Sequence, residues 1–188
     1  MLVVIDYYTR WPEAFALEHQ DAHSVALRLK LKIISRYGAL YVIHTDQGTH
    51  FESKLIAELC KMYDIKKTRT TPYHPQSDRL VERLNRTLVD TIAFIAKDAQ
   101  DTWDLRIELA LIALRSAAQS TTGYSPHLFM FGREMRLPAD LYYDLPPVES
   151  ASATESVANL RKVLAQIHET VTANMESRPK RQKDYYAF

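Results

Sequence analysis

Apolar residues fall at Leu80, Leu84, Leu88, Ile92 and Ile95, the repeat of an amphipathic helix. Ser77 and Asp78 precede it as candidate caps. Pro72 and Pro75 keep Tyr73 and His74 out of that helix, since proline lacks an N–H and restricts the residue before it. Upstream, Leu2 to Tyr8 is rich in β-branched and aromatic residues and predicts a strand. A turn at Thr9-Arg10-Trp11-Pro12 and the alternating Glu13 to Leu17 complete a hairpin. Asp21 to Arg36 predicts a helix, with Ala22, Val25, Ala26, Leu29 and Ile33 inward. Tyr41 to His44 is an apolar strand, Ser53 caps a helix to about Tyr63, and Ile65 to Thr70 predicts a short strand near a sheet edge. Thr70 to Asp78 is a loop, and the Leu80 helix runs to about Ala99. Asp101 or Thr102 caps the next helix, with Trp103, Ile107, Ala110, Leu111 and Leu114 inward. Beyond it come a glycine turn at Gly123 and a Pro126-led helix packing Leu128, Phe129 and Phe131. Leu137 to Glu149 reads as a proline-bearing linker. Thr154 to Glu176 is a last amphipathic helix, carrying Val157, Leu160, Leu164, Ile167 and Val171. Strands alternating with helices predict an α/β fold.

Composition narrows this little. The 188 residues, 46% hydrophobic and 25% charged, suffice for one globular domain and a tail. A net charge of +1 neither demands nor excludes nucleic acid as a partner. Arg28, Lys30, Lys32 and Arg36 spread over several helix faces, as solvated residues do. Arg178-Pro-Lys-Arg-Gln-Lys183 forms a basic tail that is either solvated or in reach of phosphate. One cysteine, Cys60, excludes an intrachain disulfide framework, suits a reducing compartment and sits among Leu55, Ile56, Leu59 and Met62 as core filler. No apolar run approaches the ~18 residues of a membrane span, so no membrane partner is expected.

Two acids stand out. Asp46 follows the Tyr41–His44 strand and precedes Gly48, a strand end of the kind where α/β folds collect functional side chains. Glu82 lies at the start of the Leu80 helix with Arg83, Asn85 and Arg86 around it. Taken alone, Glu82 is ordinary dipole complementarity at a helix start. Thirty-five residues separate the two acids. That spacing, with Thr45-Asp46-Gln47-Gly48 before it and Pro75-Gln76-Ser77 leading into the Glu82 helix, resembles the catalytic core of retroviral and gypsy-type retrotransposon integrases. Val4-Ile-Asp-Tyr-Tyr-Thr-Arg-Trp-Pro-Glu-Ala14 and Ser120-Thr-Thr-Gly-Tyr-Ser-Pro-His-Leu-Phe-Met-Phe-Gly-Arg133 continue the likeness, which covers Leu2 to about Leu141.

The resemblance implies a ribonuclease-H-like core over residues 1–141, followed by a linker, helix and basic tail over 142–188. It implies Mg²⁺ or Mn²⁺ held by Asp46 and Glu82, and DNA 3′-processing and strand transfer as the chemistry. Such phosphoryl transfer uses two divalent ions about 4 Å apart, and hard cations select carboxylate oxygens. By the same resemblance Tyr73 to Asp78 corresponds to a loop that closes on DNA. Gln76, Ser77, Arg79, Asn85 and Arg86 are the expected DNA contacts, with Lys67 and Arg69 weaker candidates. Thr45, Gln47 and His50 flank Asp46 as residues that would orient it. The intact family member is expected to be a nuclear homo-oligomer.

Two departures matter. Arg79 stands where the family has glycine. The family's first catalytic Asp lies on a central strand ahead of the hairpin, so the resemblance implies that this chain starts inside a longer reading frame, without that strand. Asp6 matches a different family position. The family's His/Cys zinc domain has no counterpart here, and His19 and His23, four apart, lack two further ligands. The expectation is therefore an integrase fragment that is inactive as it stands. Set against it are a non-catalytic DNA- or protein-binding module on the same fold, and a ribonuclease-H-like nuclease acting on another nucleic acid.

Overall fold

A computed structural model describes residues 1–70, 78–96, 102–142 and 153–185. The chain divides into two compact units. One comprises Met1–Ile5 and Glu13–Leu111; the other comprises Asp6–Pro12 and Ile112–Phe188.

In the first unit, β1 (Leu2–Ile5) pairs with β2 (Pro12–Phe15). A connection this short joins antiparallel strands, so the hairpin is as expected. The helical stretch that follows is less regular than its periodicity predicts. It consists of α1 (Ala22–Arg28), a π-helical stretch at Leu29–Ile34 and α2 (Ser35–Tyr37). Asp21 caps it by accepting from Ser24 N–H at 2.7 Å. The wider π turn brings the adjacent Ile33 and Ile34 both into the core with Leu29. At the far end Gly38 takes φ 84°, which a side chain would resist. Buried Glu13 accepts a hydrogen bond from the Tyr37 hydroxyl, with the Arg36 guanidinium 3.8 Å away.

Strands β3 (Val42–Thr45) and β4 (Lys66–Arg69) run parallel, with Val42 opposite Lys66 and Thr45 opposite Arg69. Parallel neighbours need a crossover, and α3 (Lys54–Met62) supplies it. Ser53 caps α3 through Ile56 N–H. Ile43 packs on the core and Thr45 is buried, whereas Tyr41 (94% exposed), Val42 and His44 face solvent. The apolar run is thus buried on alternate residues only, the period-2 consequence of a strand covered on one face. Ile56, Cys60 and Ile65 join Leu2, Phe15, Val25, Leu29 and Ile33 in one cluster, and burial pushes the Cys60 thiol up. Leu55 and Met62 lie on the opposite side of α3 and are exposed, so Cys60 is buried without them.

Helix α4 (Asp78–Ile95) packs against β1. It begins two residues earlier than the leucine repeat suggests, and its described part stops short of Ala99. Leu88 and Ile92 are buried, while Leu80, Leu84 and Ile95 are half-buried. Helix α5 (Trp103–Ser116) buries Ile107, Ala110 and Leu111. Trp103, expected inward, is exposed because it opens the helix a full turn before the first buried position.

In the second unit, the hairpin turn meets α6 (Pro126–Phe131) and α8 (Ala153–Tyr185). Asp6 Oδ2 accepts from both the N–H and the hydroxyl of Thr9 at 2.7 Å, closing the turn. The Tyr8 ring lies 5.0 Å from that of Phe129 and edge-on to His168, and its hydroxyl hydrogen-bonds Thr172 Oγ1. Arg115 donates twice to the Pro12 carbonyl and stacks on Trp11. Ser125 caps α6, Phe129 is buried, and Phe131, expected in the core, is exposed and edge-on to Trp11. The expected linker contains a short helix, α7 (Pro138–Tyr142). Helix α8 buries Ile167 and Val171 but exposes Leu160, and it runs on to Tyr185. The basic segment Arg178–Lys183 is therefore helical rather than an extended tail.

Candidate active site

Asp46 is the first residue past β3, and backbone chemistry fixes its place. The Thr45 carbonyl accepts from Thr70 N–H at 3.0 Å and from the Thr70 hydroxyl at 3.2 Å. Gln47 reaches across to donate to the Thr70 carbonyl at 3.0 Å. The Asp46 carboxylate then folds back on its own chain, Oδ1 accepting from Gly48 N–H at 2.9 Å. This is the local turn that aspartate favours.

Gly48 approaches the carboxylate closely. A Cβ on it would stand 2.8 Å from Asp46 Oδ1 and 3.5 Å from the Phe51 ring. Among the described residues, Oδ2 of Asp46 has no hydrogen-bond donor, and the carboxylate is exposed. None of the expected orienting side chains hydrogen-bonds the Asp46 carboxylate among the described residues. Gln47 holds the strand ends together; among the described residues the buried Thr45 hydroxyl has no hydrogen-bond partner and His50 makes no hydrogen bond to Asp46. Gly48, which sequence reasoning used only to mark the strand end, is the residue that orients Asp46.

Glu82 is exposed on α4. Because the helix begins at Asp78, Glu82 lies in its second turn, beyond the strongest reach of the helix dipole. Dipole complementarity therefore accounts for it less well than the leucine repeat suggested. Arg83, Asn85 and Arg86 are exposed on the same helix. Arg79 lies within α4, while Gln76, Ser77 and the rest of the expected DNA-closing loop lie outside the described residues.

Asp46 and Glu82 belong to the same compact unit. Both supply the hard oxygen donors that Mg²⁺ or Mn²⁺ takes, so their chemistry fits a divalent cation. Among the described residues, no group of three or more His, Cys, Asp or Glu is placed to hold a metal ion. Asp6, the remaining candidate acid, spends Oδ2 on Thr9 and belongs to the other unit. Beside Asp46, Glu52 pairs with Lys67 at 2.6 Å and with Arg69 at 3.8 Å. No described helix is long and apolar enough to cross a membrane.

A parallel β3–α3–β4 unit thus carries Asp46 at its strand end, and the long helix α4 carries Glu82. Residues 1–75 match the integrase core domain family. Over 172 residues, 90% of its length, the chain is 33% identical to the Gag-Pol polyprotein of walleye dermal sarcoma virus, and spans 10% of it. It is 28% identical over 173 residues, 89% of the chain, to the retrovirus-related Pol polyprotein from transposon 412 of Drosophila melanogaster, and spans 14% of that. The solved catalytic core domain of BIV integrase superposes with a TM-score of 0.56 at 33% identity, covering 66% of this chain and 80% of that one. The chain belongs to the integrase core domain family of retroviral and retrotransposon Pol polyproteins.

Proposed function

We propose that this chain is part of a retroelement integrase whose work is DNA 3′-processing and strand transfer, with Asp46 and Glu82 as ligands of Mg²⁺ or Mn²⁺. The observation that carries the reading is the Asp46 turn: an exposed carboxylate at a parallel strand's end, one oxygen held by Gly48 and the other without a donor among the described residues. When bound, the metal would activate the attacking oxygen and stabilise the leaving oxygen of a phosphodiester. The chain's own residues supply the rest. Asp46, tied to the β3–β4 pair, offers a carboxylate that need not reorganise on binding. Glu82 offers the second from α4. Exposed Asn85 and Arg86, with Arg79, Gln76 and Ser77, would engage DNA phosphates and set the substrate's register.

The 188-residue chain by itself is expected to be inactive in strand transfer. Two divalent ions bring four positive charges, which Asp46 and Glu82 alone offset poorly, so a second ion should bind weakly. In the intact element the protein is expected to act as a homo-oligomer in the nucleus.

The test is a strand-transfer assay on purified chain in magnesium or manganese, with Glu82→Gln as control. DNA binding without strand transfer is the expected result. Robust activity abolished by Glu82→Gln would place the third acid within this chain, with Asp6 the first to mutate. DNA binding with no metal dependence on either acid would favour the non-catalytic binding module.

A further inference from the structure

Lys67 and Arg69, the weaker DNA candidates, form a compact charged cluster with Glu52 near the end of β3. Lys67 and Arg69 are two apart on β4 and so share a face of the strand. Between them they take both oxygens of one carboxylate: Lys67 Nζ is 2.6 Å from Glu52 Oε1, and Arg69 Nη1 is 3.8 Å from Glu52 Oε2. The cluster is anchored to the candidate active site from both sides. Arg69 stands opposite Thr45, one residue from Asp46, in the strand register. Glu52 lies in the turn that Gly48 begins, its N–H donating to the Gly48 carbonyl at 3.2 Å. The Arg69 side chain is 64% exposed, so a ligand can reach it.

Resting on the reading of this chain as acting on DNA, we propose that Lys67 and Arg69 form a clamp for one backbone phosphate of duplex DNA, and that Glu52 occupies this clamp until phosphate displaces it. Two cations spanning two oxygens of a carboxylate match the two free oxygens of a phosphodiester. The Lys67 side chain is 20% exposed, but Glu52 and Arg69 are open to solvent, so the carboxylate can swing away from the cations. The clamp would seat the DNA backbone beside Asp46, and Glu52 would make that seating costlier, screening out weak contacts.

The experiment is fluorescence anisotropy of a labelled duplex with the whole chain across a salt series, with circular dichroism to establish that each variant is folded. Lys67→Ala and Arg69→Ala should each weaken binding and flatten the plot of log K against log salt by about 0.9 per lost phosphate contact. Glu52→Gln should bind several-fold more tightly than wild type and with a steeper slope. Unchanged slopes for both cation variants would reduce the cluster to an ordinary surface ion pair and overturn the clamp. Glu52→Gln binding no more tightly than wild type would overturn the competitor role. Wild-type chain that is folded yet binds no duplex at low salt would overturn the DNA reading itself, and the clamp with it.

Discussion

Asp46 and Glu82 reach solvent by different routes. Asp46 is fixed at the paired ends of β3 and β4 by the Thr45–Thr70 bonds, the Gln47 bridge and the Gly48 N–H. Glu82 has no such local frame; α4 carries it, and α4 is anchored by Leu88 and Ile92, about two and three turns further along. The two halves of the site should therefore fail differently. The Asp46 half is sensitive to small local substitutions and the Glu82 half to the packing of a whole helix.

The widest separation should come from Leu88→Ala. Leu88 is 0% exposed, and truncating a buried leucine costs about 2–5 kcal/mol. Urea unfolding should show a lower midpoint at unchanged slope. A loss well under 1 kcal/mol would mean that α4 is anchored elsewhere. Next is Gly48→Ala, which forces a Cβ to within 2.8 Å of Asp46 Oδ1 unless something shifts. Manganese affinity should fall by about tenfold, the lower end of what loss of an orienting contact costs, with little change in melting temperature. Equal affinity would show that the close approach of Gly48 to the carboxylate does not matter for metal binding, since alanine keeps the N–H donor.

Ser53→Ala probes the crossover that joins β3 to β4. Removing this cap should cost about 0.5–2 kcal/mol, while the Glu82 helix keeps its own hydrogen-exchange protection. Loss of protection in α4 as well would erase the distinction between the two halves. The smallest effect is at Glu52. The hydrogen bond from Lys67 holds its carboxyl below the ordinary glutamate range, and the charges of Lys67 and Arg69 act in the same direction against desolvation. Because the folded value is the lower one, pairing contributes above the unfolded-state titration and is lost as pH falls through the folded value. Carboxyl NMR should show Glu52 titrating below an unperturbed glutamate, and Lys67→Ala should move it back upward. A midpoint unmoved by that substitution would break the pairing.

Much of this was legible in the sequence where local rules and tertiary packing agree. Ser53 before an apolar repeat is a cap, and Leu88 and Ile92 in register are a buried stripe. Legibility failed where packing chose among equivalent apolar residues. Nothing in the sequence separates Phe129, which is buried, from Phe131, which is exposed, and Leu160 looks as apolar as Ile167. It also failed where backbone geometry departs from regular periods, as in the π turn that buries both Ile33 and Ile34. In the candidate site, the placement of Asp46 at a strand's end was readable from the apolar run before it. Its orientation by Gly48 was not, because that depends on a close approach visible only in three dimensions. The Glu52–Lys67–Arg69 cluster joins residues on different elements, so its geometry had no sequence pattern.

The central claim is that these two differently held acids share one divalent ion. Electron paramagnetic resonance of free Mn²⁺, titrated with the chain, tests it directly. Wild type should remove one Mn²⁺ per chain from solution, and Asp46→Asn and Glu82→Gln should each weaken that binding by tenfold or more, about 1.4 kcal/mol, without unfolding. Wild-type affinity in both variants, or a loss confined to one of them, would contradict a shared site.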